Sequence, residues 1–292
     1  MNDVLQILWS RRWRLPAVLA LAAILQPARA NMLAGDETLG SGFHLLYDLN
    51  FVGAQKAFTL HQLLQPDDPR GQVAVAAGLL FAEFHRLGVL ESQFLTDDDA
   101  FLTRCKPAPD PEFHGRFDSA LKQTETMALA RLEHDPKDTD ALFALTLMSG
   151  LRADYAALVE KRNMPALSYG KQAAQWAEKL LAIQPDCHDA YVSTGVSKYI
   201  IGTLAAPVRW LLQIGGYVGN KEKGLVELNL AAKNGRFLSP FARVLLAIAY
   251  AREQEKPLAR DLLVGLKREF PHNPLFTREL ARLDGEMVAD ER

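Results

Sequence analysis

The stretch PFARVLLAIAYAREQEKPLARDLLVGLKREFPHN, residues 240–273, holds two helical periods joined by a short polar break. Leu246, Ala247 and Tyr250 fall on one face of the first period, and Ala259, Leu263 and Leu266 on one face of the second. Pro271 ends the second helix, because the residue before a proline is pushed out of the α region. The offsets Ala259, Leu263, Pro271, four then eight residues, recur as Ala173, Ala177, Pro185 and as Ala54, Phe58, Pro66. Thr124, Ala128 and Pro136 form a fourth, weaker copy. A helix face followed by a proline stop, repeated four times, predicts stacked helix pairs rather than one irregular helical domain.

The intervals between those prolines predict where the array is irregular. Pro66 to Pro136 spans 70 residues, Pro136 to Pro185 spans 49, and Pro185 to Pro271 spans 86. Against a unit of about 34 residues, the excess falls near 88–112, 151–165 and 203–219. The expectation is an all-α solenoid over residues 31–292, of about five helix pairs plus a capping helix from about Pro274 to Met287. Arg278, Glu279, Arg282, Asp284 and Glu286 suit that last helix to cover the end of an open stack. Alternating β-branched runs bounded by tight-turn pairs are absent from the sequence.

Leu246, Ala247 and Tyr250, followed nine residues later by Ala259, match the spacing of the tetratricopeptide repeat (TPR) family, which the chain resembles. Arg243 stands where that family usually carries Trp. Tyr191, Thr194 and Gly195 resemble a further first-helix copy. The resemblance implies that Ala54, Phe58, Ala173, Ala177, Gly195, Ala247, Tyr250, Ala259 and Leu263 pack neighbouring helices. A narrower similarity, over roughly 138–285, is to a group of exported bacterial repeat proteins with no assigned activity. It rests on residues 150–155, Asp189-Ala190-Tyr191, residues 219–225 and Phe270-Pro271-His272-Asn273. Gly224-Leu225 also resembles the eukaryotic Iml2/TTC39-type repeats, less specifically.

Residues 1–30 read as an address rather than as part of the fold. Arg11, Arg12 and Arg14 precede the largely apolar run from Leu15 to Leu25, and Ala28-Arg29-Ala30 supplies a small-x-small cleavage site. Eleven residues is about half the length a bilayer span needs. The expectation is therefore a cleaved signal peptide and a periplasmic or secreted protein, the alternative being anchoring by an uncleaved N-terminal segment. Arg14 occupies the place where a twin-arginine signal carries an aromatic residue, which favours the general secretory route. Cleavage would remove four arginines and one aspartate, leaving 29 basic against 34 acidic residues and a net charge of −5. No later stretch is apolar enough to span a membrane.

The full chain of 292 residues has 49% hydrophobic and 23% charged residues with a net charge of −2, which excludes a disordered chain and argues against nucleic acid as partner. Cys105 and Cys187 are too few for a disulfide-stapled fold, though in an oxidising compartment they could pair with each other.

Nothing in the sequence rises to a catalytic, metal-binding or cofactor-binding motif. The seven histidines are scattered, without a His-Glu-x-x-His pattern, and read mostly as surface residues or helix ends. Cys187-His188-Asp189 places reactive residue types side by side, but neighbours on a chain point in different directions. Asp186 or Asp189 reads better as a helix N-terminal acid. Asp97-Asp98-Asp99 lacks the spaced ligands of a calcium loop, and the glycines of 215–219 follow no strand. Those glycines read as a flexible joint.

The repeat register places Phe143 and Leu147, then Val192, Val196 and Tyr199, then Phe241, Val244 and Ile248 on the concave side as a candidate groove. So apolar a groove has two explanations. The insert from Leu204 to Ile214 could fold inward and fill it, with Trp210 between Val196 and Val244. Alternatively, the groove could accept an apolar ligand or a partner helix. The leading functional expectation is a non-catalytic extracytoplasmic scaffold with a protein partner in the cell envelope. A carrier or accessory protein binding an apolar ligand or partner helix in the groove is the alternative.

Overall fold

The computed structural model describes residues 36–90 and 110–290, and among these every regular element is helical. The leader read at 1–30, Asp97-Asp98-Asp99, Cys105 and most of the 88–112 insert lie outside the described residues. Five helix pairs follow one another: α1 (36–47) with α2 (Phe51–Leu64), α3 (Pro69–Arg86) with α4 (Pro111–His134), and α5 (Thr139–Leu158) with α6 (Asn163–Ile183). The fourth pair is α7 (Tyr191–Thr203) with α9 (Lys221–Asn234), interrupted by the short α8 (Ala206–Ile214). The fifth is α10 (Ser239–Arg252) with α11 (Lys256–Glu269), and α12 (Pro274–Asp290) ends the array. Consecutive helices pack on one another, so the fold is an all-α solenoid.

The four marker prolines build one turn four times. Helices α2, α4, α6 and α11 end one residue before Gln65, Asp135, Gln184 and Phe270, and each of those residues precedes a marker proline. Each of the four donates its N–H to the carbonyl four residues back, at 2.8 Å in every case. The carbonyl of the same residue then accepts from the residue three ahead: Asp68, Asp138, Cys187 and Asn273, at 3.0–3.2 Å. Three of these carry an Asx side chain that caps the next helix: Asp68 accepts from Arg70 N, Asp138 from Ala141 N and Asn273 from Leu275 N. Cys187 has no such acceptor, and the chain passes through a 3-10 turn (His188–Ala190) before α7.

The small residues set the helix spacing. A Cβ at Gly195 would lie 3.0 Å from Gly224 O, and one at Gly224 would lie 2.6 Å from Tyr199 N, so α7 and α9 cross with backbone nearly touching backbone. Ala54, Phe58, Ala173, Ala177, Ala247, Ala259 and Leu263 are all buried, and Tyr250 is half-buried. The length near 151–165 is absorbed by running α5 on to Leu158 and starting α6 at Asn163, across a tight reversal with Lys161 at φ 57°.

The array is not open-ended as the polar last helix led us to expect. Helix α1 bridges the first pair to the last. The Phe43 ring packs 5.2 Å from Phe58 and 5.5 Å from Phe237. The Tyr47 hydroxyl donates to Phe237 O at 3.1 Å, and Asn273 Nδ2 donates to Tyr47 O at 2.8 Å. An ion pair joins Arg236 to Asp36 at the rim, and His272 Nδ1 lies 2.7 Å from Asp48 Oδ2. The physical reason is that α1 has apolar residues on more than the face that α2 covers, so its second apolar face is buried against the turns of the last pair.

Candidate functional site

Closure by α1 converts the concave side into a partly enclosed chamber. It holds a cavity of about 310 Å³, at the lower edge of ligand-binding pockets. Phe81 and Phe84 on α3 line one side, with Phe81 reaching the Phe241 ring across the interior at 5.9 Å. Val196 and Ile200 on α7 and Phe241, Val244 and Ile248 on α10 line another. Leu275, Phe276 and Leu283 close it from α12, so this helix contributes an apolar wall as well as a polar cap.

Of the eight groove residues expected from the register, Val196, Phe241, Val244 and Ile248 face this cavity. Phe143 is buried with its ring 6.1 Å from Phe237, and Leu147 packs against the core. Val192 is buried in the core. Tyr199 is buried, with its hydroxyl 3.4 Å from both Ala249 O and Glu253 Oε1, and its backbone lies against Gly224. Ala247, Ala259 and Leu263, assigned by the repeat pattern to packing, also border the cavity.

The insert does not fill the groove. Trp210, Leu211 and Ile214 on α8 are 65%, 64% and 67% exposed, so Trp210 is not wedged between Val196 and Val244. Two anchors hold α8 outside. Gly202 and Gly219 let the strands of chain entering and leaving it pack backbone to backbone, and Asn220 N donates to Lys198 O at 3.0 Å. Lys171 adds a hydrogen bond to Gly215 O at 2.7 Å, so the segment 215–219 is a pinned crossing rather than a loose joint.

Five side chains with polar groups lie in the cavity wall, and the Tyr47 hydroxyl is already bonded to Phe237 O. Asn273 is satisfied, giving Nδ2 to Tyr47 O and Oδ1 to Leu275 N. Glu279 and Arg282 pair with each other at 3.1 Å. Asp154, on α5, is different: among the described residues none hydrogen-bonds it or pairs with it, and burial alone pushes its carboxyl up to about 7. Asp154 is not among the residues expected from the repeat register. The signal was present, since Asp154 falls on the apolar stripe of Phe143, Leu147, Leu151 and Leu158, where a carboxylate is out of place.

The residue types considered for chemistry have other positions. Asp189 is buried and its carboxylate accepts from the N–H groups of Arg236, Phe237 and Leu238 at 2.9–3.2 Å. It caps the turn before α10, a helix N-terminus forty-odd residues along the chain rather than its own. Burial, outweighing those hydrogen bonds, raises its carboxyl. Burial also pushes the half-buried Cys187 thiol up to about 11. His61 is fully buried, unlike a surface histidine, with Nε2 3.0 Å from Asp68 Oδ2 and Nδ1 3.5 Å from Thr38 Oγ1. Asp68 also binds Arg70, which reaches Asp36 and Asp140, so this cluster ties α1, α2, α3 and α5 together. No protein-family model matches the chain, and no match was found among curated proteins.

Proposed function

We propose that this chain is an exported, non-catalytic TPR-type repeat protein that holds an apolar ligand within its closed solenoid. The observation that carries this reading is the cavity of about 310 Å³ behind α1, whose described wall is apolar apart from five side chains. The leader at 1–30 supports export, and among the described residues no helix is long and apolar enough to cross a membrane. Native mass spectrometry of the protein purified from its source's cell envelope is expected to show a co-purified small apolar molecule. An Ile248→Trp variant, whose indole would occupy the cavity, is expected to lose it. A wild-type protein free of any such molecule, and taking up none when offered, would overturn the reading.

A second reading, an interaction scaffold for a cell-envelope protein, is favoured by one separate observation. Helix α8 presents Val208, Trp210, Leu211 and Ile214 to solvent on a pinned base. An exposed Trp flanked by aliphatic residues is the composition of an interface anchor. Affinity capture with wild type and Trp210→Asp in parallel distinguishes it: a partner lost in the variant supports the scaffold, and a partner retained removes α8 from it.

A further inference from the structure

Asp154, the one polar group of the cavity wall left unsatisfied among the described residues, defines the class of ligand more narrowly than the apolar wall does. Asp154 is carried on α5 between Leu151, which is buried, and Leu158, which lines the same cavity. The other charged groups in the wall, Glu279 and Arg282, neutralise one another at 3.1 Å, and the Asn273 amide makes both of its hydrogen bonds to backbone. A carboxylate left without a partner in apolar surroundings is costly, because it loses water and gains nothing in exchange. Its neighbours in the cavity wall are Ala157 and Leu158 on its own helix and apolar side chains from the helices opposite. A donor delivered to it from within the cavity would remove that cost, and a cationic donor would remove most of it. An anionic head would add a second negative charge at short range in a medium that screens weakly.

From this placement, and resting on the cavity reading above, we infer that the ligand is a cationic amphiphile: an apolar body filling the chamber, with a single ammonium group paired to Asp154. Binding then follows from two separable contacts. The apolar wall binds the tail without regard to the head. Asp154 selects the head, discriminating an amine from an alcohol or a carboxylic acid of the same length. The Glu279–Arg282 pair, already closed, contributes no net charge to that choice.

The test is calorimetric titration of the purified protein with decylamine, decan-1-ol and decanoic acid, each below its aggregation concentration at pH 8. Decylamine is expected to bind roughly tenfold to a hundredfold more tightly than the alcohol, the range of a charge-assisted hydrogen bond. The acid is expected to bind most weakly. Asp154→Asn should bring amine and alcohol to within about threefold of each other, and Asp154→Glu should restore the preference. Equal binding of the three probes by wild type, or a preference that survives in Asp154→Asn, would overturn the assignment while leaving the apolar cavity intact. Failure of all three to bind would overturn both this inference and the cavity reading. Far-ultraviolet circular dichroism of each variant, unchanged from wild type, identifies a lost preference with the lost carboxylate rather than with a lost fold.

Discussion

Two short segments lie apart from the regular middle of the stack, α1 and α8, and both carry bulky apolar residues. Helix α1 buries Leu39, Phe43, Leu46 and Tyr47, while α8 buries none of its side chains. Of the two, α8 is the one whose sequence looks made to fill a groove. What separates them is attachment. Helix α8 leaves α7 and returns to α9 within one repeat, and the close backbone packing of Gly202 and Gly219 holds both its ends on the outer edge. Helix α1 is joined to α2 by the three residues 48–50, and its second face is available to the turns before α10 and α12. Amphipathicity thus says that a helix has a face to bury, and the tether decides whether it can reach a place to bury it.

That comparison can be broken most directly at Phe43, between the Phe58 and Phe237 rings. Phe43→Ala is expected to cost about 3–5 kcal/mol in urea unfolding. A loss below about 1 kcal/mol would mean that polar contacts alone dock α1. The chamber behind α1 makes a second, pH-dependent prediction. Burial pushes the folded Asp154 carboxyl up to about 7, against about 4 for an ordinary aspartate. Between these values the folded state holds a proton that the unfolded state releases, so rising pH favours unfolding. This group alone removes roughly 4 kcal/mol from about pH 4 to pH 7 and nothing further above it. Asp154→Asn should abolish that component, leaving the variant the more stable of the two at pH 8 and little changed at pH 4. Asp68, held well below the ordinary carboxylate range by His61 and Arg70 against the opposing effect of burial, acts with opposite sign. Its stabilisation is present above about pH 4 and is lost on acidification, equally in both proteins, so it cancels from the difference.

On the outer side, Gly224→Ala places a methyl group 2.6 Å from Tyr199 N and 2.7 Å from Gly195 O, against backbone that cannot rotate away. A loss of about 1–3 kcal/mol is expected in the same unfolding experiment. An unchanged midpoint would show that the α7–α9 crossing can open. The smallest effect belongs to α8 itself. Trp210→Ala should shift stability by no more than about 0.5 kcal/mol, as at other exposed sites. A loss above about 2 kcal/mol would place that indole inside, and the contrast with α1 would fail.

The prolines were legible because a turn is a local event. Pro66, Pro136, Pro185 and Pro271 act on the residue before them and on the carbonyl hydrogen bonds of one helix end, all within a few positions. The small residues were legible for the same reason: Gly195 and Ala259 sit at fixed offsets from helix ends. Candidate groove residues were legible only in part. The register put Val196, Phe241, Val244 and Ile248 on the inner side, where they line the cavity, but it could not see that Phe143 meets Phe237 and that Tyr199 is taken up by Ala249 and Glu253. Asp154 was hidden for a different reason. On its own helix it is one of two acids, with Asp140, and it becomes singular only when the other polar side chains of the described cavity wall have found partners.

The amino-acid sequence by itself determined an all-α array of five helix pairs and a last helix, the position of each proline turn and the crossing points of the close-packed helices. These follow from periodicity and from steric rules that act over a few residues. Only the tertiary structure decided that the array closes on itself, that α1 rather than α8 occupies the inside, and that the described wall of the chamber contains one unpaired carboxylate. Those outcomes depend on contacts between residues some 190 to 226 positions apart. At that range no local preference operates, and the burial of a second apolar face selects the partner.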